Sequence, residues 1–233
     1  LVENRPGAGG FVVFEATRRL PADGYTLVQL DSEQLAALPL LLFMPGLSFT
    51  DAYFETMSGL TTTGATVLAG LDTLPASINI WRGQLHWLGG LGVIVLVVAV
   101  LPLLGVGGRQ LYKAETPGPM KDDKLTPRMA ETAKGLWKVY IQLTLLCIAL
   151  YWAFGMTPAD ALIHAFSVMG LGGFSSHDAS FGYFQSLPLE IITEVFALLA
   201  GLNFAMHFIA LRGRTLAPYR TDPEIRWYFG YLI

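Results

Sequence analysis

Two short stretches rich in threonine and glycine, TTTGAT at 61–66 and GLGGFS at 170–175, hold the residues of this sequence best suited to chemistry. Each follows a segment of helical character, 49–60 or 158–169, that is too short to cross a bilayer. Non-helical backbone is tolerated at membrane depth only where protein buries it or where it lines a water-filled path. The pattern is therefore typical of a re-entrant pore loop, in which backbone carbonyls can replace the hydration shell of a cation.

The two segments are copies of each other at an offset of 109 residues, so that Asp51 aligns with Asp160 and Gly64 with Gly173. Taken alone, TTTGAT would be interpreted as an outer loop built from turn residues, but its duplication favours the pore loop. Internal repeats are a common way to build a transport path. We therefore predict a repeated unit of span, pore helix, filter loop and span.

The composition indicates an integral membrane protein. Hydrophobic residues make up 53% of the 233 residues and charged residues only 14%, whereas soluble domains average roughly 25% charged residues. The net charge of −3 gives no electrostatic support for a nucleic-acid partner. A single cysteine, Cys147, excludes an internal disulfide framework and any multi-cysteine metal site.

Three stretches without charged residues, 83–108, 139–159 and 195–211, match the ~20 residues that a helix needs to cross a bilayer. A fourth apolar run at 36–44 is too short and contains or adjoins prolines, so it is predicted to be only the end of a span. Segments 47–81 and 156–190 contain no lysine or arginine.

Basic residues cluster between the first two spans and after the last one, at Arg109, Lys113, Lys121, Lys124, Arg128, Lys134, Lys138, Arg212, Arg214, Arg220 and Arg226. The positive-inside rule places these two clusters in the cytoplasm and the lysine- and arginine-free segments on the opposite side.

Several polar residues allow more than one interpretation. His177 and Asp178 lie beside Ser175 and Ser176, which is compatible with a hydrolase, but a polar cluster that caps the second loop is favoured. Glu190 and Glu194 either face an outer vestibule, where acidic groups concentrate cations, or are solvated at the interface. The remaining groups are interpreted as packing residues: Gly89, Gly90, Gly92, His86, His164 and His207.

At these motifs the sequence resembles the Trk/Ktr/HKT superfamily of potassium transporters, and within it the bacterial TrkH-type subunit. The resemblance covers about residues 36–233 and includes SFTDAYFETMSGLTTTGAT, LHWLGGLGVIVLVVAVLPLLGVGG, YKAETPGPMKDDKLTPRMAETAK, GGFSSHDASFGYF and LNFAMHFIALRGR. It implies an all-α integral membrane protein built from four span–pore helix–filter loop–span repeats. This sequence would hold one truncated repeat and one complete repeat.

The resemblance also implies a site and a function, namely potassium uptake across the bacterial inner membrane by a multi-pass transporter that is not an enzyme and needs no cofactor. Leu171 departs from the threonine often found near its position, but a carbonyl ligand requires no hydroxyl. The implied potassium ligands are the filter carbonyls of Thr61, Thr62, Thr63, Gly64, Gly170, Leu171, Gly172 and Gly173.

The implied partners are potassium, membrane lipid, a second copy of the subunit and a cytoplasmic TrkA-type nucleotide-binding regulatory subunit. The basic segment between the first two spans would contact that regulatory subunit or anionic lipid. No nucleic-acid partner is expected.

The N-terminal residues do not fit this picture. Residues 1–28, with VENRPGAGG and ADGYTL, resemble the substrate-binding proteins of tripartite tricarboxylate transporters. A non-functional gene fragment, a fusion or a solute-binding remnant therefore stays open as an alternative. Five units are predicted along the chain. They are a foreign soluble α/β segment (1–35), a truncated first repeat (36–108), a basic connector (109–136), a second repeat (137–212) and a cytoplasmic tail (213–233).

Overall fold

The computed structural model describes residues 32–44, 46–100 and 125–232. Within these ranges the chain is all-helical, with short 3-10 turns at Leu71–Thr73 and Ser180–Tyr183, as the sequence predicted. The α-helices are α1 (Ser32–Phe43), α2 (Phe49–Leu60), α3 (Ala76–Val100), α4 (Leu125–Ala153), α5 (Pro158–Met169), α6 (Leu187–Gly201), α7 (Phe204–Gly213), α8 (Ala217–Thr221) and α9 (Pro223–Leu232).

Helices α2 and α5 begin and end at the predicted residues, and the hydroxyl of an N-cap residue starts each of them. Ser48 Oγ accepts a hydrogen bond from the backbone N–H of Asp51 at 3.1 Å and donates one to its carboxylate at 2.7 Å. Thr157 makes the same two bonds with Asp160 at 3.1 and 2.7 Å. A side-chain cap satisfies one of the backbone N–H groups that the first helical turn leaves unpaired.

Helix α3 lies between α2 and α5, and its glycines allow the close approach. A Cβ atom on Gly83 would lie 3.2 Å from the carbonyl oxygen of Ile163 in α5. A Cβ on Gly89 would lie 2.1 Å from the carbonyl oxygen of Leu60, at the end of α2. The predicted packing role is confirmed for Gly89 and for Gly90, whose Cβ would lie 2.8 Å from Gly170 Cα, whereas no described atom lies within 4 Å of the Cβ position at Gly92. Helix α3 therefore supports both short helices.

The main core lies where α3, α4, α5 and α6 meet, and buried aromatic hydroxyls are satisfied within it. Tyr140 of α4 donates a hydrogen bond to the carbonyl oxygen of Trp87 in α3 at 3.0 Å. Tyr151 is paired with Thr193 of α6 at 2.7 Å. The fully buried core residues include Leu136, Tyr140, Cys147, Tyr151, Ala161, Ala165, Met169, Leu189 and Phe196.

Two predicted spans differ from the structure. The uncharged stretch 139–159 was expected to be one helix, but α4 ends at Ala153. Gly155 adopts a positive φ of 107°, which only glycine tolerates readily, and the chain then turns into α5.

The predicted span 195–211 is broken, because α6 and α7 meet at an angle of 95°. Leu202 between them is extended, and the side chain of Asn203 accepts a hydrogen bond from Ala205 N at 3.0 Å to start α7. Gly201 also lets the side chain of Tyr228 in α9 approach the end of α6, since a Cβ there would lie 2.4 Å from the hydroxyl oxygen of Tyr228.

Helix α1 packs on α2 and α3 through Ala37 and Leu40, and the indole N–H of Trp81 donates to the carbonyl oxygen of Ala36 at 3.1 Å. The predicted boundary between residues 35 and 36 therefore falls inside a helix that packs on the rest of the protein. The segments 1–31 and 101–124, the second of which holds most of the basic connector 109–136, lie outside the described residues, so the predictions for them stay predictions.

Among the described residues, Lys134–Ala153 of α4 is long and apolar enough to cross a membrane. Helices α6 and α7 meet the same criteria only as a bent pair.

Candidate functional site

The two loops that follow α2 and α5 share one backbone conformation. Thr63 N donates to the carbonyl oxygen of Ser58 at 2.9 Å, and Gly172 N donates to that of Ser167 at 2.9 Å. Both bonds close the six-residue ring of a Schellman motif at the helix C-terminus. The residue in the left-handed conformation is Thr62 in the first loop and Leu171 in the second, each at a φ of 55°.

In both loops a residue other than glycine adopts this positive φ, and the local hydrogen bonds of the Schellman motif hold it there. The left-handed conformation costs an L-residue roughly 1–2 kcal/mol, and strain of this kind concentrates at functional sites. Thr62 and Leu171 are equivalent residues at the offset of 109, so the two loops share this conformation at the same position. The side chain of Leu171 is 51% exposed and therefore contributes little packing to hold its backbone.

The two loops meet at their glycines. Gly64 has a φ of 76°, and a Cβ atom built on it would lie only 1.8 Å from the carbonyl oxygen of Gly172. Gly173 has a φ of 94°, with open space around the position of its Cβ. The structure thus brings the first predicted site into contact with the second, at Gly64 and Gly172.

The remaining predicted site residues lie along the same two loops. Gly170 is buried against helix α3, where a Cβ would lie 2.5 Å from the carbonyl oxygen of His86. The hydroxyls of Thr61 and Thr63 are 2.8 Å apart, and that of Thr61 donates to the carbonyl oxygen of Met57 at 2.8 Å. These two hydroxyls are therefore bound to each other and to the end of α2.

Each short helix binds the non-helical segment that follows its loop, through a side chain at the equivalent position. In the first segment the carboxylate of Glu55 accepts hydrogen bonds from the hydroxyl of Thr66 at 2.8 and 3.0 Å. In the second, His164 Nε2 is 3.0 Å from the hydroxyl of Ser175. The prediction that His164 is a buried polar packing group is confirmed, and the same holds for His86 and His207.

Sequence reasoning missed the buried ion pair between Glu55 and Arg82. The two side chains are 0% and 1% exposed, and Arg82 Nε lies 2.8 Å from Glu55 Oε1. A signal was present in the sequence, since Glu55 is the one ionisable residue in the middle of α2 and Arg82 directly follows a long segment without lysine or arginine.

The polar cluster predicted around His177 connects the two outer segments. His177 Nδ1 lies 2.5 Å from Asp72 Oδ1, in the turn before α3, and His177 Nε2 lies 3.3 Å from the carboxylate of Asp160. Asp178 accepts hydrogen bonds from the backbone N–H groups of Gly70 and Leu71 at 3.0 and 3.1 Å. The cluster therefore ties the second loop to the first, which the sequence did not predict.

We expect Asp72→Asn to reduce thermal stability at neutral pH and to have less effect in acid. The hydrogen bond from His177, with that from the backbone of Asp178, lowers the pKa of Asp72 below its ordinary value of 3.8. A lowered pKa means that the carboxylate stabilises the fold above that ordinary value and loses this contribution as the pH falls through the folded-state pKa.

The measurement is the unfolding temperature of the detergent-solubilised chain and its variant across that pH range. The control is the same substitution in a His177→Gln background, where the carboxylate has lost its main partner and the effect should shrink. An effect of Asp72→Asn that is independent of both pH and His177 would contradict the assignment.

Comparisons with known proteins agree with the resemblance found in the sequence. A family model for TrkH, described as a cation transport protein, matches residues 19–233, which begins earlier than the boundary at residue 36 expected from the sequence. The chain is 51% identical over 212 residues to the Trk system potassium uptake protein TrkH of Salmonella typhimurium, covering 89% of this chain and 44% of that protein. It is 52% identical over 210 residues to the TrkH of Vibrio parahaemolyticus, covering 88% and 43%.

The crystal structure of the potassium transporter TrkH from Vibrio parahaemolyticus matches with a TM-score of 0.69 at 41% identity, covering 94% of this chain and 46% of that one. The chain thus spans less than half the length of these relatives. The prediction of a transporter family rather than an enzyme family is confirmed. The chain belongs to the TrkH family of cation transport proteins.

Proposed function

We propose that this chain forms part of the potassium-conducting pore of a Trk-type uptake system in the bacterial inner membrane. The observation that carries the proposal is the pair of loops after α2 and α5, which repeat one strained backbone conformation and meet at Gly64 and Gly172. The relatives in Salmonella typhimurium and Vibrio parahaemolyticus are named potassium uptake proteins, which supports potassium as the transported ion.

The ligands in this proposal are backbone oxygens. A conducting site must replace the water around potassium with oxygen atoms and still release the ion. Within the described ranges, no cluster of three or more His, Cys, Asp or Glu residues is suitably placed to hold a metal ion. The proposed filter carbonyls are those of Thr61, Thr62, Thr63, Gly64, Gly170, Leu171, Gly172 and Gly173.

The proposed architecture is two pore repeats, 36–108 and 137–212, joined by the basic connector, with two further repeats needed to complete the filter. The apolar surface of α4 supports its placement in lipid, because Leu145, Leu146 and Trp152 are 60%, 52% and 65% exposed. The basic connector would face the cytoplasm and contact a TrkA-type regulatory subunit, and two such transporters would pair.

The test is a chimera in which residues 19–233 replace the matching segment of the Vibrio parahaemolyticus relative. We expect the chimera to restore growth at low potassium in a strain without its own potassium transporters, and to take up potassium in preference to sodium. We expect the 233-residue chain alone to give no uptake, because it supplies only two of the four filter loops.

A membrane-inserted chimera that takes up no potassium, or that takes up sodium equally well, would contradict the proposed function. Uptake by the chain alone would contradict the expected need for four loops.

A further inference from the structure

One buried side chain of α3 reaches both filter loops. The guanidinium of Arg82 donates through Nη2 to the hydroxyl of Thr66 at 3.2 Å and through Nη1 to the carbonyl oxygen of Ser175 at 3.1 Å. Its Nε donates to Glu55 at 2.8 Å, and Nη1 also contacts Asn79 Oδ1 at 3.2 Å.

The two residues that Arg82 binds, Thr66 and Ser175, occupy equivalent positions in the two segments. Thr66 lies two residues beyond Gly64, and Ser175 lies two residues beyond Gly173. The side chains of Glu55 and His164 each bind the non-helical segment that follows their own helix, so each of them acts within one repeat. Arg82 instead joins the two segments close to the loop glycines, whereas the contacts of Asp178 join them farther along the chain.

The geometry of the guanidinium suits this role. It is planar and carries five N–H donors in a fixed fork, so it holds several acceptors at set positions, which the point charge of a lysine ammonium does not do. The ring centroid of Phe174, in the second loop, lies 4.3 Å from Arg82 Cζ, so the ring packs against one face of the guanidinium. His86 stacks on Phe174 at 4.0 Å between ring centroids.

We propose that Arg82 is a positioning residue for ion selectivity, because its guanidinium sets the spacing between the two filter loops just beyond Gly64 and Gly173. The inference rests on the proposed function. A filter selects its ion by the size of the carbonyl cage or by the number and field strength of its carbonyls, and the spacing of neighbouring loops bears on both. Arg82 does not touch the ion, and Glu55 balances its charge, so that the pair adds no net charge beside the cation path.

The test measures the potassium-to-sodium permeability ratio of the chimera in liposomes, which does not depend on how much protein is folded. Arg82→Lys keeps the positive charge opposite Glu55 but loses the fork. We expect the ratio to fall about tenfold, which corresponds to about 1.4 kcal/mol of differential ion binding, because the two loops are no longer held at a fixed spacing.

A second variant, Arg82→Gln with Glu55→Gln, tests whether Arg82 acts through the spacing of the loops or through its charge. Removing both charges avoids the unpaired buried charge that would destabilise a single variant. If Arg82 acts by positioning, the double variant also loses about tenfold in selectivity, because it too lacks the guanidinium that holds the two loops at a fixed spacing. The matched control is Arg220→Gln, which removes an exposed arginine and should leave the ratio unchanged.

Retention of the unsubstituted ratio by either Arg82→Lys or the double variant would overturn this inference while leaving the proposed function intact. An unsubstituted chimera without any preference for potassium would contradict the proposed function, and this inference with it.

Discussion

Replacing Gly64 by serine in the chimera should abolish most of the discrimination between potassium and sodium. The φ of Gly64 is 76°, and any Cβ atom there would lie 1.8 Å from the carbonyl oxygen of Gly172. Both filter loops must therefore move apart or rotate their carbonyls. A loss of about 1.4 kcal/mol in differential ion binding lowers the selectivity ratio tenfold, and we expect a loss of at least that size.

The comparison variant is Gly173→Ser, at the equivalent position of the second loop. Its φ of 94° also disfavours a side chain, but no described residue of this chain lies within 4 Å of the added Cβ. Within this chain the serine there meets backbone strain alone, about 1–3 kcal/mol. Permeability ratios in liposomes measure both variants, and retention of the unsubstituted ratio by Gly64→Ser would contradict the contact between the loops.

Replacing Gly89 by alanine should destabilise the protein, although alanine is normally the better helix former. The added Cβ would lie 2.1 Å from the carbonyl oxygen of Leu60 and 3.1 Å from Thr62 Cγ2. Because the nearest contact is backbone, α3 has to shift away from the start of the first loop. Overpacking of this kind costs typically about 1–3 kcal/mol.

The control for this substitution is Gly92→Ala in the same helix. Among the described residues no atom lies within 4 Å of the Cβ position at Gly92, so the change should stabilise the helix by roughly 0.8–1 kcal/mol through propensity alone. Thermal unfolding of the detergent-solubilised chain should therefore shift in opposite directions for the two variants. A stabilising effect of Gly89→Ala would contradict the close packing of α3 on α2.

The two short helices were predictable because their signals are local. Ser48 and Thr157 cap residues three positions later, and the loop hydrogen bonds at Thr63 and Gly172 close rings of six residues. Composition and capping decide such features before any distant contact forms. The all-helical fold and the membership of the chain in a transporter family were read from the same motifs.

The breaks in two predicted spans were less predictable. Uncharged residues continue through 139–159 and 195–211, so hydropathy gives no sign of where a helix stops. Gly155 follows the end of one helix and Asn203 starts another, but glycine and asparagine also occur inside uninterrupted helices. The contact of Tyr228 with Gly201, at the end of α6, comes from a helix that lies farther along the chain.

The sequence by itself determined the helical composition, the duplicated helix–loop unit and the residues of the candidate filter, because neighbouring residues carry those signals. Only the tertiary structure decided that the two loops meet at Gly64 and that Arg82 joins them. Arg82 and Ser175 are 93 residues apart in the chain, and Arg82 and Glu55 are 27 apart. Carbonyls and carboxylates occur throughout any sequence, and the packing of α3 between α2 and α5 selects the ones that this buried guanidinium binds.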